Sequence, residues 1–266
     1  MSGEPAPIVV VAERDTVLAR AVEALGRFPV DQPWVLIGGI AVFLRLGSIT
    51  RPTADADTVA RSQAALLDQL TIDEPTVVIS GGQIEMPVAD GTVQVDVMDL
   101  NDDPLPGDLE RRAFALARPQ ALDSASPQDV LVTDKAGSSV ARSIVPVASV
   151  AALVSLKTVS MIRRPHGNHQ EKVGSDIHDL VRLVSIAGAG TIAAELASAN
   201  RELATWVAAQ VGRSFGPDLR YTLIRLRKHD RSAGAQALLD DDVAATVILG
   251  DALRELLAGE DDRPIA

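Results

Sequence analysis

Hydrophobic spacing changes several times along this chain, and each change predicts a different element. In AERDTVLARAVEALGRF (12–28), Val17, Leu18, Val22 and Leu25 recur at helical spacing and predict an amphipathic first helix. PWVLIGG (33–39) is a short apolar run ending in two glycines, the pattern of a buried strand, and IAVFLRLG (40–47) reads as a helix stopped by Gly47. DADTVA predicts a second strand and RSQAALLDQL (61–70) a helix. Three strand-like runs follow, TVVIS (76–80), QIEMPV (83–88) and TVQVDVMDL (92–100), joined by the hairpin-type turns GGQ and ADG.

The chain turns over at Pro104, Pro106 and Gly107 before a short helix predicted near 108–117, and DVLVTD (129–134) predicts one more strand. After VPVAS the pattern is helical to about residue 258, broken at RRPHGNHQEKVGS and GRSFGPD. The expected architecture is α/β (α+β): a lobe with a mixed sheet over 1–145, then a helical lobe over 146–266 that closes an active-site cleft.

Composition narrows the setting. With 47% apolar and 23% charged residues among 266, the chain can bury a sizeable core. It has no cysteine, which excludes disulfides and thiolate metal sites. No apolar run approaches the ~20 residues of a membrane helix. The start MSGEPAPIVVVAERD lacks a basic signal-peptide region, so a soluble, cytoplasmic protein without a membrane partner is expected.

A net charge of −11 argues against a general nucleic-acid coat but leaves room for a local basic groove. RSFGPDLRYTLIRLRKHDR carries Arg213, Arg220, Arg225, Arg227, Lys228 and Arg231 against Asp218 and Asp230. That excess reads either as a solvated helix face or as a footprint for an RNA acceptor or triphosphate. His166 and His169 lie in a Pro/Gly/Asn stretch with no third ligand nearby, which argues against a metal there.

The candidate chemistry lies in GGIAVFLRLGSITRPTADADT, Gly38 to Thr58. On a strand alternate residues share a face, so Asp55 and Asp57 point the same way as Thr53. In TVQVDVMDL the same rule separates Val93, Val95 and Val97 from Gln94, Asp96 and Met98. Were that strand beside the Asp55–Asp57 strand, three carboxylates would converge and repel one another unless they held hard cations such as Mg²⁺. Gly38 and Gly39 end a strand and open a helix, where backbone N–H groups can meet a phosphate chain. Together these are the working parts of phosphoryl or nucleotidyl transfer. Against this, a glycine pair after a strand is common, and Asp-x-Asp often sits in solvent.

WVLIGGIAVFLRLGSITRPTADADT resembles the entry motif of the nucleotidyltransferase superfamily, a hydrophobic residue with Gly-Gly or Gly-Ser, a helix, and Asp-hydrophobic-Asp. Its R-x-T-x-D-x-D spelling resembles AbiEii-type toxins of type IV toxin–antitoxin systems, the MenT-type toxins among them. VPVASVAALVSLKTVSMIRR is similar to the family's helix bearing a lysine and then an arginine, and EKVGSDIHDLVRL to its K-D-x-x-D-L-x-x-L helix. The matching segments span roughly residues 34–184 in the family's order. Gly39 stands where many members carry serine, and the K-D pair is stretched to Lys172-Val-Gly-Ser-Asp176.

The resemblance implies that Asp55 and Asp57 hold Mg²⁺ (Mn²⁺ as an alternative) and that Asp96 is the third carboxylate. It implies catalytic roles for Lys157, on the nucleotide phosphates, and for Asp176. It also implies substrate contacts from Gly38, Gly39, Arg51, Thr53 and Asp179. The reaction implied is transfer of a nucleoside monophosphate from an NTP to a hydroxyl, that of the 3′ end of tRNA, by a toxin with a separately encoded antitoxin. Transfer to a small molecule, as in aminoglycoside nucleotidyltransferases, transfer to a protein, and a catalytically weak nucleotide-binding regulator are the alternatives. On the helix expected from near Ser175, Ile177, Leu180, Val181 and Val184 form a core stripe. Asp176 falls at its edge, better placed to face a cleft between the lobes, and Asp179 falls further round, where solvation is the alternative to a substrate contact.

Overall fold

Eight strands form one mixed sheet in a computed structural model that describes residues 6–13, 15–73, 77–100, 105–164, 172–233 and 238–261. They are β1 (Ile8–Val11), β2 (Trp34–Ile37), β3 (Ala56–Ala60), β4 (Val78–Ser80), β5 (Gln83–Val88), β6 (Gly91–Asp99), β7 (Ser126–Thr133) and β8 (Ser139–Val147). Their order across the sheet is β1-β7-β8-β2-β3-β6-β5-β4. The β4–β5, β5–β6, β7–β8 and β2–β3 pairs are antiparallel, while β1–β7, β2–β8 and β3–β6 are parallel. The predicted alternation holds on β6, where Val93, Val95 and Val97 are buried and Gln94 is exposed.

Three helices accompany the sheet: α1 (Val17–Leu25), α2 (Gly38–Leu46) and α3 (Gln63–Asp73). The first is shorter than predicted because Thr16 caps it, its side chain accepting from the Ala19 N–H. It packs on β5, β6, β7 and β8, with Leu18, Val22 and Leu25 buried, as their spacing predicts. The second starts at Gly38 and ends at Gly47, whose φ of +66° supplies the left-handed C-cap.

The remaining helices are α4 (Leu109–Asp123), α5 (Val150–Arg163), α6 (Val173–Ala187), α7 (Ala189–Ala199), α8 (Arg201–Ser214), α9 (Leu219–Ala233) and α10 (Asp240–Asp261). The chain divides into two compact units. The sheet unit comprises Met1–Ile49, Thr53–Asp102 and Ala121–Ser149; the helical unit comprises Thr50–Pro52, Asp103–Gln120 and Val150–Ala266. The main division at 149/150 lies close to the expected 145/146, but two earlier segments, 50–52 and 103–120, go with the helices.

Three elements differ from expectation. The edge strand β1 and the interior strand β8 were not predicted. SVARSIVPV (139–147) interrupts its apolar alternation with Arg142, Ser143 and Pro146, yet β8 sits between β7 and β2. The helix expected near 108–117 runs on through Pro119 to Asp123. Pro119 removes one backbone donor, and the division between the units falls one residue later, after Gln120. His166 and His169 fall outside the described residues.

Within the helical unit α6 is the hub, packed against α5, α7, α9 and α10. Every residue from Val173 to Val181 is buried. Close approach to α9 requires glycine at 174, where a Cβ would stand 2.3 Å from the Cβ of His229 and 2.9 Å from the Arg225 carbonyl oxygen. Gly174→Ala should therefore lower the unfolding free energy by about 1–3 kcal/mol. Gly190→Ala, in α7 where a Cβ meets nothing within 4 Å, should be neutral or slightly stabilising. Urea unfolding of the two variants beside wild type checks this; equal midpoints would refute the tight α6–α9 contact.

Candidate active site

Strand register brings two of the expected carboxylates side by side. Asp57 on β3 is the Cα partner of Asp96 on parallel β6, and Ile37 on β2 is the partner of Asp57. Gln83 on β5 pairs with Asp96 from the other side. Direct partners point to one face, so Asp57 and Asp96 share it. Both are half-buried, whereas the neighbouring Ala56, Thr58, Val95 and Val97 are buried. The Thr58 hydroxyl donates to the Asp96 carbonyl oxygen at 3.1 Å and ties the two strands at this point. Asp55 precedes β3 by one residue, and the Thr53 hydroxyl donates to its carbonyl at 3.4 Å, bracing the turn.

Asp57 also meets the start of α2. Gly38 has a φ of +69°, and a Cβ there would lie 2.0 Å from Asp57 Oδ2. Only glycine satisfies both the left-handed backbone and the contact. The N-cap position is Ile37, which offers no side-chain cap. A carboxylate beside a helix N-terminus is favoured by the unsatisfied N–H groups and the helix dipole. Gly39 is buried in the same first turn.

The expected meeting of three carboxylates around one ion is not drawn in the side chains. Among the described residues no three of His, Cys, Asp and Glu are grouped closely enough to surround a metal. Two causes are visible: the Asp57 carboxylate turns onto Gly38, and Asp96 Oδ1 accepts from Gln94 Nε2 at 2.9 Å.

Lys157, Asp176, Asp179 and Arg51 belong to the helical unit, where they are occupied with one another. Arg51 forks onto Asp179, Nε to Oδ1 at 2.8 Å and Nη2 to Oδ2 at 2.6 Å. Lys157 Nζ lies 2.7 Å from Asp179 Oδ2 and 3.1 Å from Asp176 Oδ1, and Arg164 Nε contacts Asp176 Oδ2 at 2.5 Å. Asp176 and Asp179 are 1% and 0% exposed. The expectation of a solvated Asp179 fails because α6 is enclosed by helices and presents no solvent face there.

Charges buried this deeply persist only when paired. Burial works to raise the Asp179 pKa, but Lys157, two hydrogen bonds (from Arg51 and His178) and the Arg51 charge hold it far below the usual carboxylate range. Burial likewise works to lower the Lys157 pKa, and Asp179 with Asp176 more than reverses it. Arg164 and His178 were not singled out for this network. The signal was periodicity: Lys157 and Arg164 are seven residues apart, two helical turns, and Asp176 and Asp179 are three apart.

No family model and no curated protein matches this chain. Among solved structures it is similar to an antigenic nucleotidyltransferase-like protein from Paracoccidioides brasiliensis, at 23% identity over 79% of this chain and 89% of that one, with a TM-score of 0.44. It is also similar to a candidate nucleotidyltransferase from H. pylori, at 11% identity over 93% and 94% of the two chains, with a TM-score of 0.47.

Asp179→Asn should cost about 3–5 kcal/mol at pH 7, because it leaves Arg51 and Lys157 facing a neutral amide. A depressed carboxylate stabilises fully above its unfolded pKa of ~3.9 and loses that contribution as pH falls toward the folded value. The deficit of Asp179→Asn relative to wild type should therefore shrink below about pH 4. Denaturant melts at pH 7 and pH 3 test this; a deficit unchanged between them would sink it.

Proposed function

We propose that this chain is a Mg²⁺-dependent nucleotidyltransferase that moves a nucleoside monophosphate from an NTP to an acceptor hydroxyl. The carrying observation is the meeting of the Gly38 backbone with the Asp57 carboxylate, in register with Asp96. A phosphate-receiving helix start and paired hard-oxygen donors then share one place in the sheet unit.

The donors suit the metal. Mg²⁺ commonly binds through one or two carboxylates and completes its octahedron with substrate phosphate oxygens and water, so a ready-made cage of three is not required. Asp57 and Asp96 supply the pair, and Asp55 is two residues before Asp57. Held there, the ion would supply charge neutralisation at the phosphates and activation of the acceptor hydroxyl.

The chain's own residues do the rest. Gly38 and Gly39 carry no side chains of their own, so the first-turn N–H groups of α2 can meet the triphosphate beside Asp57. The acceptor oxygen forms a bond to the α-phosphorus as the bond from that phosphorus to the bridging oxygen breaks and pyrophosphate leaves. Asp96, through the carboxylate oxygen that Gln94 does not hold, takes the hydroxyl proton. The tRNA 3′ end as acceptor, and the role of a toxin held in check by an antitoxin, are supported by the motif resemblance alone.

One observation favours a second reading, a nucleotide-binding regulator: the three carboxylates do not surround a common point. A single assay separates the two. Purified protein is incubated with Mg²⁺, each α-labelled NTP and total tRNA, and label on RNA is measured. Transfer that falls by ~100-fold or more in Asp57→Ala supports the enzyme, since even outer-shell partners of a metal cost 10–100-fold. NTP binding without label on RNA, protein or small molecule supports the regulator.

Gly38→Ala offers an independent check. The added methyl collides with Asp57 and strains a positive φ, so transfer and NTP affinity should both fall by tenfold or more. Wild-type kinetics in this variant would show that the helix start does not receive phosphate.

A further inference from the structure

The helical unit holds a pair of histidines that the proposed transfer site does not use. His178 on α6 is fully buried, and His229 on α9 is half-buried, its ring centroid 6.1 Å from that of His178 in an edge-on arrangement. The pair adjoins the charged network of α5 and α6, with His178 Nδ1 3.8 Å from Asp179 Oδ1. His229 also has the main chain of α6 pressed against it. A Cβ at Gly174 would stand 2.3 Å from the His229 Cβ and 3.1 Å from its Cγ, so the imidazole cannot shift along α6 without moving the helix that carries it.

The charges around His229 are unbalanced before it titrates. The carboxylates near it are Asp176 and Asp179 on α6, and both are engaged already. Arg51 and Lys157 meet Asp179, while Lys157 and Arg164 meet Asp176. Three cations against two carboxylates leave one positive charge in excess. Lys172 at the start of α6 and Arg225, one turn before His229, add no negative charge. On α8, the other helix against which α9 chiefly packs, Arg213 is paired with Asp218 at the turn between the two helices.

An imidazolium at 229 would therefore enter a seam that is positive already, where burial itself disfavours a charge. Histidine is the side chain whose proton ordinarily changes between pH 5 and 8. The His229 pKa lies below its ordinary value, through burial first and then Arg51 and His178, with Asp179 and Asp176 offsetting only part. Above about pH 6.5 the ring is neutral whether α9 is docked or released. Below that, the released helix takes the proton more readily than the docked one, so docking weakens as pH falls toward the docked value. The element free to move is α9. Its partner α6 is also held by α5, α7 and α10, whereas Arg220, Tyr221, Ile224, Arg227 and Lys228 of α9 face solvent.

We propose that α9 is an acid-released latch: protonation of His229 frees Leu219–Ala233 from α6 while α5, α6 and their charged network stay in place. The inference is independent of the transfer reading, because neither Gly38 nor the carboxylates of the sheet unit take part in it.

Amide hydrogen exchange of the full chain, followed by mass spectrometry at pD 5.5 and 7.5 and corrected for intrinsic rates, tests the latch. In wild type, protection of 219–233 should fall by about fivefold or more at the lower pD, within the roughly tenfold per pH unit that one proton allows. Peptides from 150–163 and 173–187 should change less than about twofold by the same linkage. His229→Gln, neutral at both values, should protect α9 equally at the two. Backbone NMR of wild type gives a reading that needs no variant: α9 amides should move together with one midpoint below the ordinary histidine value of ~6.5.

The same acid-dependent loss in His229→Gln as in wild type overturns the proposal. So does exchange that quickens equally in α6 and α10, which would mark general acid unfolding. A midpoint for the α9 amides near pH 4 would overturn it too, since a carboxylate would then be the titrating group.

Discussion

The candidate site depends on strand register. Ile37, Asp57, Asp96 and Gln83 form one row of partners across β2, β3, β6 and β5. Side chains alternate with a period of two, so a slip of one residue in β3 would send Asp57 to the opposite face and bring Ala56 or Thr58 into the row. The row is held by features that are not themselves chemical. Thr58 bonds across to the Asp96 carbonyl, the valines of β6 are buried on the far face, and Gly38 admits the Asp57 carboxylate. The geometry of the candidate site is thus maintained by packing that any β-sheet requires.

The helical unit solves a different problem, that of carrying charge into a core. Three cations, Arg51, Lys157 and Arg164, surround two carboxylates on α6. Each group would be costly alone, and together they specify one arrangement of α5 and α6 within that unit. His178 and His229, with ring centroids 6.1 Å apart, extend the polar seam toward α9. Burial, with Arg51 and His178 nearby, lowers the His229 pKa, and Asp179 and Asp176 only partly offset this.

The strand–helix–strand unit around Gly38–Asp57 was legible because local pattern and tertiary role agree there. A continuous apolar run and a glycine pair mark the end of β2 and the start of α2, whereas of the alternating aspartates only Asp57 lies on β3. β8 was not legible, because its neighbours on both sides, rather than its own alternation, make it a strand. Asp179 was misjudged for a related reason: a helical wheel presumes one solvent face, and α6 has none along its first two turns. The roles implied for Lys157 and Arg51 followed from motif position, whereas their partners follow from helix packing that no short motif encodes. The side-chain directions of Asp57 and Asp96 depend on Gly38 and Gln94, which lie on the preceding and the same strand–helix segments but say nothing of rotamers in sequence.

The discontinuity of the two units bears on how the chain is made. Arg51 is translated 128 residues before the carboxylate that receives it. During synthesis the sheet unit can assemble once residue 149 has emerged, but the short segment 50–52 must wait for α6. Long-range closure of this kind is slow and is completed late. A gene cut at the 149/150 division would leave the helical unit incomplete, since the downstream product would lack Arg51 and all of α4, most of which belongs to that unit. The molecule is bimodular in space yet indivisible as a message.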